Sequence, residues 1–379
     1  MSTSRLQLFA LVVAILLAAT PLGCRWETDL PAEARAIAID PSRELVISSD
    51  DVVSGPLAKN EGEGPFSFRH AVISHHLRDG ALDRWLDGWS SRIASEPDGA
   101  DRARTFEQEV TCRWLELRAA NRCDDTCRTC AERELDLAVA PFRLLAIVNR
   151  TDLSVMPDRA ADGGEARLVF ALTDGPADDA TSTTLPFSVI FEYAQDGSAR
   201  SWAERWHALG ATSDVDHPSR VADLTESFVA PGAIAQIRSA DALTGAMLFH
   251  QFDMVGGELV GSNVRNTPDW GRVTASSIRA FAEAQSTALD DGTAVMPKAW
   301  WASSSSLTRE TPSYLAEVPR HEAILQATCA GCHSQSATGF HVVPEESPSE
   351  RLSRFLVDPS KPTDELRRRV EWMQLVLSR

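Results

Sequence analysis

The residues best placed to do chemistry are Cys329, Cys332 and His333, in the run Cys329-Ala330-Gly331-Cys332-His333. Two thiols at this separation followed at once by an imidazole have the spacing of a c-type haem attachment site. The chemistry requires those types: the thiols add to the two vinyl groups of the macrocycle, and the imidazole reaches the iron from the proximal side. The motif therefore implies one covalent haem c, with Cys329 and Cys332 binding it and His333 as an iron ligand.

A second iron ligand is harder to find, because no Met stands between His333 and Trp372. His341 is the imidazole in that stretch and the candidate second metal ligand; Met373 falls on the apolar stripe of the last helix, where Met more often fills a core. From the centre of the chain His250, Met247, Met254 and Met296 are further candidates, with His250 alternating between Leu248 and Phe252 as a core histidine would. Two protein ligands favour electron transfer, whereas an open position admits small ligands or peroxide to the metal.

Three other chemistries compete for the same residues. Cys329 and Cys332 could close a disulfide in an oxidising compartment. They could form a thiol oxidoreductase centre, although no thioredoxin-like βαβ unit precedes them. With His333 and His341 they could hold zinc. The chain has no G-x-S-x-G elbow, no H-E-x-x-H helix, no phosphate-binding glycine loop and no dinucleotide fingerprint, which leaves a hydrolase or nucleotide enzyme without support.

The other five of the seven cysteines fall into two groups. Cys112, Cys123, Cys127 and Cys130 lack a CxxC pair at each end, so two disulfides are expected rather than a metal site, with connectivity open among three pairings. Cys24 closes a leader that starts with Arg5 and runs uncharged from Leu8 to Ala19, as a signal peptide does. Leu22-Gly23-Cys24 resembles a bacterial lipoprotein lipobox, which implies loss of residues 1–23 and a diacylglyceryl thioether on Cys24; plain secretion is the alternative. The expected location is the periplasm or the outer membrane, as a lipoprotein. No second apolar run of about 18 residues follows, so membrane attachment would come from the lipid alone.

With 379 residues, 43% hydrophobic and 24% charged, the chain can bury a core of about two domains. A formal net charge of −17 argues against nucleic acid as a partner.

The fold expected is α+β: a central mixed strand and helix domain with a small all-α, cytochrome c-like C-terminal segment. Residues 24–65 carry scattered Pro, Gly, Ser and acidic residues and read as a tether before a domain at 66–310. In that domain Leu82, Trp85, Leu86, Trp89 and Ile93 mark one amphipathic helix, and Phe106, Val110, Trp114 and Leu117 a second that runs into the cysteine cluster. Phe142–Val148, Arg167–Leu172 and Phe187–Tyr193 read as buried strands. Trp202, Trp206 and Leu209 mark another helix, Ala246–Val264 a hairpin turning at Gly256-Gly257, and Ile278, Phe281 and Ala282 a later helix.

In residues 311–379 a short helix from Pro319 leads into Cys329, a polar loop spans 334–361, and Thr363-Asp364-Glu365 caps a final helix with Leu366, Val370, Met373 and Leu377 on one face. This layout resembles the single-haem c-type cytochromes over 319–379, which implies haem thioethers on Cys329 and Cys332, His333 as proximal ligand, and an electron-carrying role with a separate redox partner. A segment of about 60 residues hides only about 60% of its surface, so the central domain is expected to form one wall of the haem crevice. The competing function is a haem-free envelope lipoprotein with a third disulfide; a haem enzyme or sensor with an open iron is a third.

Overall fold

The computed structural model describes residues 31–73, 81–96, 99–118, 123–124, 134–156, 163–245, 247–256, 258–290, 292–306, 311–334, 338–347, 350–357 and 365–379. The leader, Cys24, Cys127 and Cys130 lie outside these ranges. Among the described residues no helix is long and apolar enough to cross a membrane.

An eight-stranded sheet organises the chain. Its strands are β1 Val46–Ile47, β2 Phe142–Arg150, β3 Glu165–Thr173, β4 Thr184–Ala194, β5 Ile234–Asp241, β6 Leu248–Val255, β7 Glu258–Ser262 and β8 Ser305–Ser306. Strands β1 to β7 pair antiparallel in chain order, and β8 adds to the start of β6. The fold is thus α+β, with no parallel crossover among the described residues. The three expected strands are present and each is longer than its apolar run. They read as nearly unbroken apolar runs because both faces of the sheet are covered, which removes the usual alternation with polar residues. The expected hairpin is β6 with β7, where Val255 pairs Glu258 and Gly256 sits at φ +61, a conformation that glycine adopts without a Cβ penalty.

The main helices are α1 Ala81–Ala94, α2 Gly99–Phe106, α3 Arg113–Leu117, α4 Ala199–Gly210, α5 His217–Phe228, α6 Ala275–Ala284, α7 His321–Gln326, α8 Cys329–His333 and α9 Glu365–Ser378. A π-helical turn, Glu107–Cys112, joins α2 to α3 and ends at a cysteine that is disulfide-bonded, as is Cys123. Helices α1 to α3 cover one sheet face with aromatic side chains. Trp89 is fully buried and its ring lies 5.1 Å from Phe187, 5.4 Å from Phe252 and 5.3 Å from Phe106. Helices α4 and α5 continue this layer through Trp206 stacked on Phe228 at 6.0 Å.

Two expectations about segments are corrected. The stretch expected to be a tether is part of the body from residue 31 onward: Leu45, Val46, Ile47, Val52 and Val53 are buried in the main core, and β1 pairs with β2. Its apolar pieces are only a few residues long, and they are buried because distant strands receive them. Residues 311–379 are mainly helical and pack on the sheet; what is corrected there is the polar loop 334–361. Leu366 and Met373 of α9 and Val342 join the core of the sheet, Arg351 Nη1 donates to the Leu145 carbonyl at 2.9 Å, and Thr184 Oγ1 donates to the Pro344 carbonyl at 2.5 Å. The loop expected to be polar carries buried Phe340, Val343, Phe355 and Leu356. So short a segment cannot close a core alone, and it finishes one on the second face of the sheet.

Candidate functional site

Register decides what the second face of the sheet offers. Arg167 pairs Glu192, Ile190 pairs Arg238 and Ala240 pairs Phe249 across neighbouring strands, so these side chains share that face. Between it and the C-terminal segment lies a cavity of about 350 Å³, adjoined by a smaller one of about 100 Å³ that shares Arg150, Arg167, Arg238, Arg369, Cys329, His333 and His341 as lining. The smaller lobe is walled by Val46, Val148, Val169, Ile190, Phe249, Val342 and Leu356. The larger is lined by six arginines, Arg150, Arg167, Arg238, Arg265, Arg368 and Arg369, against three carboxylates, Asp152, Glu365 and Glu371. The cavity is amphipathic, and its volume falls in the range of small-molecule and cofactor sites.

The CAGCH run forms α8 at the rim of this cavity. Thr328 starts the helix, its Oγ1 accepting from the Gly331 amide at 2.9 Å and donating to the Leu325 carbonyl at 2.7 Å. A second small core, built from Ile278, Phe281, Met296, Leu315, Val318 and Ile324, holds α6 and α7 beneath it. Helices α7 and α8 approach so closely that a Cβ at Gly331 would stand 2.0 Å from the Leu325 carbonyl oxygen. That contact is with backbone and cannot be relieved by a rotamer change. Gly331→Ala should therefore displace α8 and lower the free energy of unfolding by about 1–3 kcal/mol, while Ala330→Ser should stay close to wild type; urea unfolding of both variants measures this.

Both thiols are free, and each faces a different neighbour. Cys329 Sγ donates to the Arg265 carbonyl at 3.2 Å, and Cys332 Sγ lies 3.9 Å from His341 Nε2. Burial pushes the Cys332 thiol up to about 12, with the nearby Glu365 and Cys329 adding to the effect, so it stays protonated at neutral pH. His333 Nδ1 lies 2.6 Å from the Gly339 carbonyl oxygen. A carbonyl only accepts, so Nδ1 carries the proton and Nε2 keeps its lone pair. Burial lowers the His333 pKa to about 4, against the opposing pull of the Gly339 carbonyl, which leaves a neutral ring available as a ligand.

The imidazoles stand in a column of rings. His333 and His341 stack at 4.0 Å with planes 1° apart, Phe355 closes the far side of His341 at 4.7 Å, and Phe249 packs on His333 at 4.4 Å. Burial pushes the His341 pKa well below its usual value, with the neighbouring His333 adding to the shift. Among the described residues no group of three or more His, Cys, Asp or Glu is arranged to hold a metal ion; an axial haem ligand needs only one side chain on each face of the macrocycle.

The charged lobe is built from ion pairs. Arg150 grips Asp152 through two hydrogen bonds of 2.9 Å and lies 3.6 Å from Glu365, which also pairs Arg369 at 3.2 Å. Burial alone would raise Asp152, but Arg150 and Arg369 outweigh it and hold that carboxyl at about 2. Arg167 pairs Glu165 and Glu192, each at 3.0 Å. Burial lowers Arg265 to about 10.

The structure thus brings Cys329, Cys332, His333 and His341 together at one cavity. The other candidate ligands fall elsewhere: His250 is buried on β6, alongside Phe252 and opposite Ser239, Met296 lies in the second core, Met373 beside Asn149 in the main core, Met247 in a small cluster with Phe340 and Val343, and Met254 packs at the core edge. Sequence reasoning passed over Met156, which lines the cavity just after the 3₁₀ turn Thr151–Val155. It also passed over the arginines, which are scattered from 150 to 369 and only the sheet register gathers. Comparison with known proteins finds no matching family model, no similar curated protein and no matching solved structure.

Proposed function

We propose that the chain carries one c-type haem, bound covalently through Cys329 and Cys332 with His333 as proximal ligand, and that it transfers electrons in the cell envelope. The observation that carries this reading is the placement of both free thiols and a neutral, Nδ1-protonated His333 at the edge of one amphipathic cavity. The donor set and the cavity suit the group: the apolar lobe matches a porphyrin edge, and the arginine-lined lobe matches the propionate edge. When bound, haem supplies a one-electron couple whose potential depends on axial ligands and burial.

The protein's own residues set the rest. The Gly339 carbonyl fixes the His333 ring and raises its basicity as a ligand. The ring column of Phe249, His341 and Phe355 prevents that imidazole from turning. His341 and Met156 are the neutral donors lining the cavity besides the thioether cysteines and His333. Export and lipidation at Cys24 belong to the same proposal, resting on the leader and the Leu22-Gly23-Cys24 run. So does a redox partner of unspecified identity, with the membrane reached through the lipid alone.

The test is expression with c-type haem maturation machinery. Wild-type protein should give a haem-stained band on a denaturing gel and a reversible one-electron optical titration; Cys329→Ala with Cys332→Ala should lose all covalent stain. A wild type without stain, with Cys329 and Cys332 joined as a disulfide, would replace this account with the haem-free envelope lipoprotein.

A further inference from the structure

We propose that Arg238 and Arg167 form an anion-binding site that takes a carboxylate inside the larger cavity. Hydrogen-bond donors outnumber their acceptors at these two side chains. Arg238 stands on β5 and Arg167 on β3, on the same sheet face, and both line both lobes. They share one carboxylate: Glu192 lies 3.0 Å from Arg167 Nη2 and 3.6 Å from Arg238 Nε, and it also accepts from Gln236. Arg238 Nε and Nη2 and Arg167 Nε are buried and make no hydrogen bond. Each buried donor left unmade costs about 1–3 kcal/mol, and more on a charged group. A bound carboxylate would satisfy the Arg238 fork in the planar, two-bond geometry that guanidinium prefers.

Charge points the same way. The chain as a whole is strongly acidic, at −17, yet arginines outnumber carboxylates two to one on this lining. The carboxylates present are already engaged: Asp152 by Arg150, Glu365 by Arg369 and Glu371 by Arg367 at 2.8 Å. Counted with Glu165 and Glu192, which pair Arg167 and Arg238, six arginines still stand against five carboxylates, and one of those five, Glu371, is taken by Arg367 outside the lining.

The carboxylate has two sources with one chemistry, a propionate of the haem proposed above or a free small carboxylate. The site itself rests on the arginines and not on the haem. The experiment uses haem-free full-length chain, expressed without maturation machinery, and holoprotein, each titrated with sodium acetate against sodium chloride of equal ionic strength. The readout is the thermal midpoint, which rises with the logarithm of ligand concentration when only the folded state binds. Haem-free wild type should gain midpoint with acetate beyond the chloride control, and Arg238→Gln and Arg238→Lys should lose that gain. The lysine variant keeps the charge and guards against a folding defect. Holoprotein insensitive to acetate would assign the site to a propionate, and holoprotein that still responds would assign it to a free carboxylate. Haem-free wild type that responds to acetate no more than to chloride, or an Arg238→Gln variant that responds like wild type, would overturn the site. Absence of covalent haem in the matured protein would bear on the proposed function alone.

Discussion

Trp89→Ala is expected to lower the free energy of unfolding by about 3–5 kcal/mol, the usual cost of emptying a large aromatic site in a core. The ring is wholly buried between α1, α2 and the sheet, touching Trp85, Phe106, Phe187 and Phe252. It joins the helical layer to two strands, β4 and β6, that do not pair with each other. Its Nε1 has no hydrogen-bond partner, so Trp89→Phe removes an unmet donor along with part of the ring and should cost clearly less. Val215, 89% exposed, supplies the control: Val215→Ala should stay within about 0.5 kcal/mol of wild type. Urea unfolding of the three variants measures this, and equal midpoints for Trp89→Ala and Val215→Ala would show that the helices do not pack as described.

The second large effect is on acid stability. His250 is fully buried, neither ring nitrogen has a partner, and burial, helped by Arg92 and Arg102, drives its pKa to about 3. In the unfolded chain the ring titrates near about 6.5. The folded value lies below the unfolded one, so the unfolded state binds the proton first. Stability is then full above about pH 6.5 and falls as the pH drops toward 3, at up to about 1.4 kcal/mol per pH unit for this one group. His250→Leu should raise stability at pH 7 by about 1 kcal/mol or more, because an unsatisfied polar ring gives way to an apolar side chain. It should also flatten the acid limb. Urea midpoints at pH 7, 5.5 and 4.5 check both, and an unchanged slope in the variant would mean that His250 is not the buried neutral group described.

How far these features were legible in the sequence depends on what each residue needed in order to show its role. Strands β2, β3 and β4 announced themselves because burial on both faces demands unbroken apolar runs. Helix α1 did so because one buried face repeats at helical spacing. Strand β5 did not: Gln236 and Arg238 interrupt Ile234 and Ile237, since on the cavity face the strand carries charge. The tether was misread because Val46 and Ile47 are too few to signal a strand until Ile147 and Val148, a hundred residues on, are seen beside them.

The site divides the same way. Thiols and imidazole lie within five consecutive residues, so their chemistry is visible in one dimension. The arginine lobe, the Gly339 carbonyl on His333 and the stacking of His341 arise only from tertiary packing. Gly331 lies between the two: it reads as a spacer in the motif, and the close approach of α7 shows why it has no side chain.

The central claim is a covalent bond between this chain and one haem, and the mass of the intact exported protein tests it most directly. Protein purified from a host with c-type haem maturation should be heavier by one haem than the Cys329→Ala, Cys332→Ala variant from the same host, once the two substitutions are allowed for, and the increment should survive denaturation. A wild-type mass that differs from the variant's by the two substitutions alone would contradict the account.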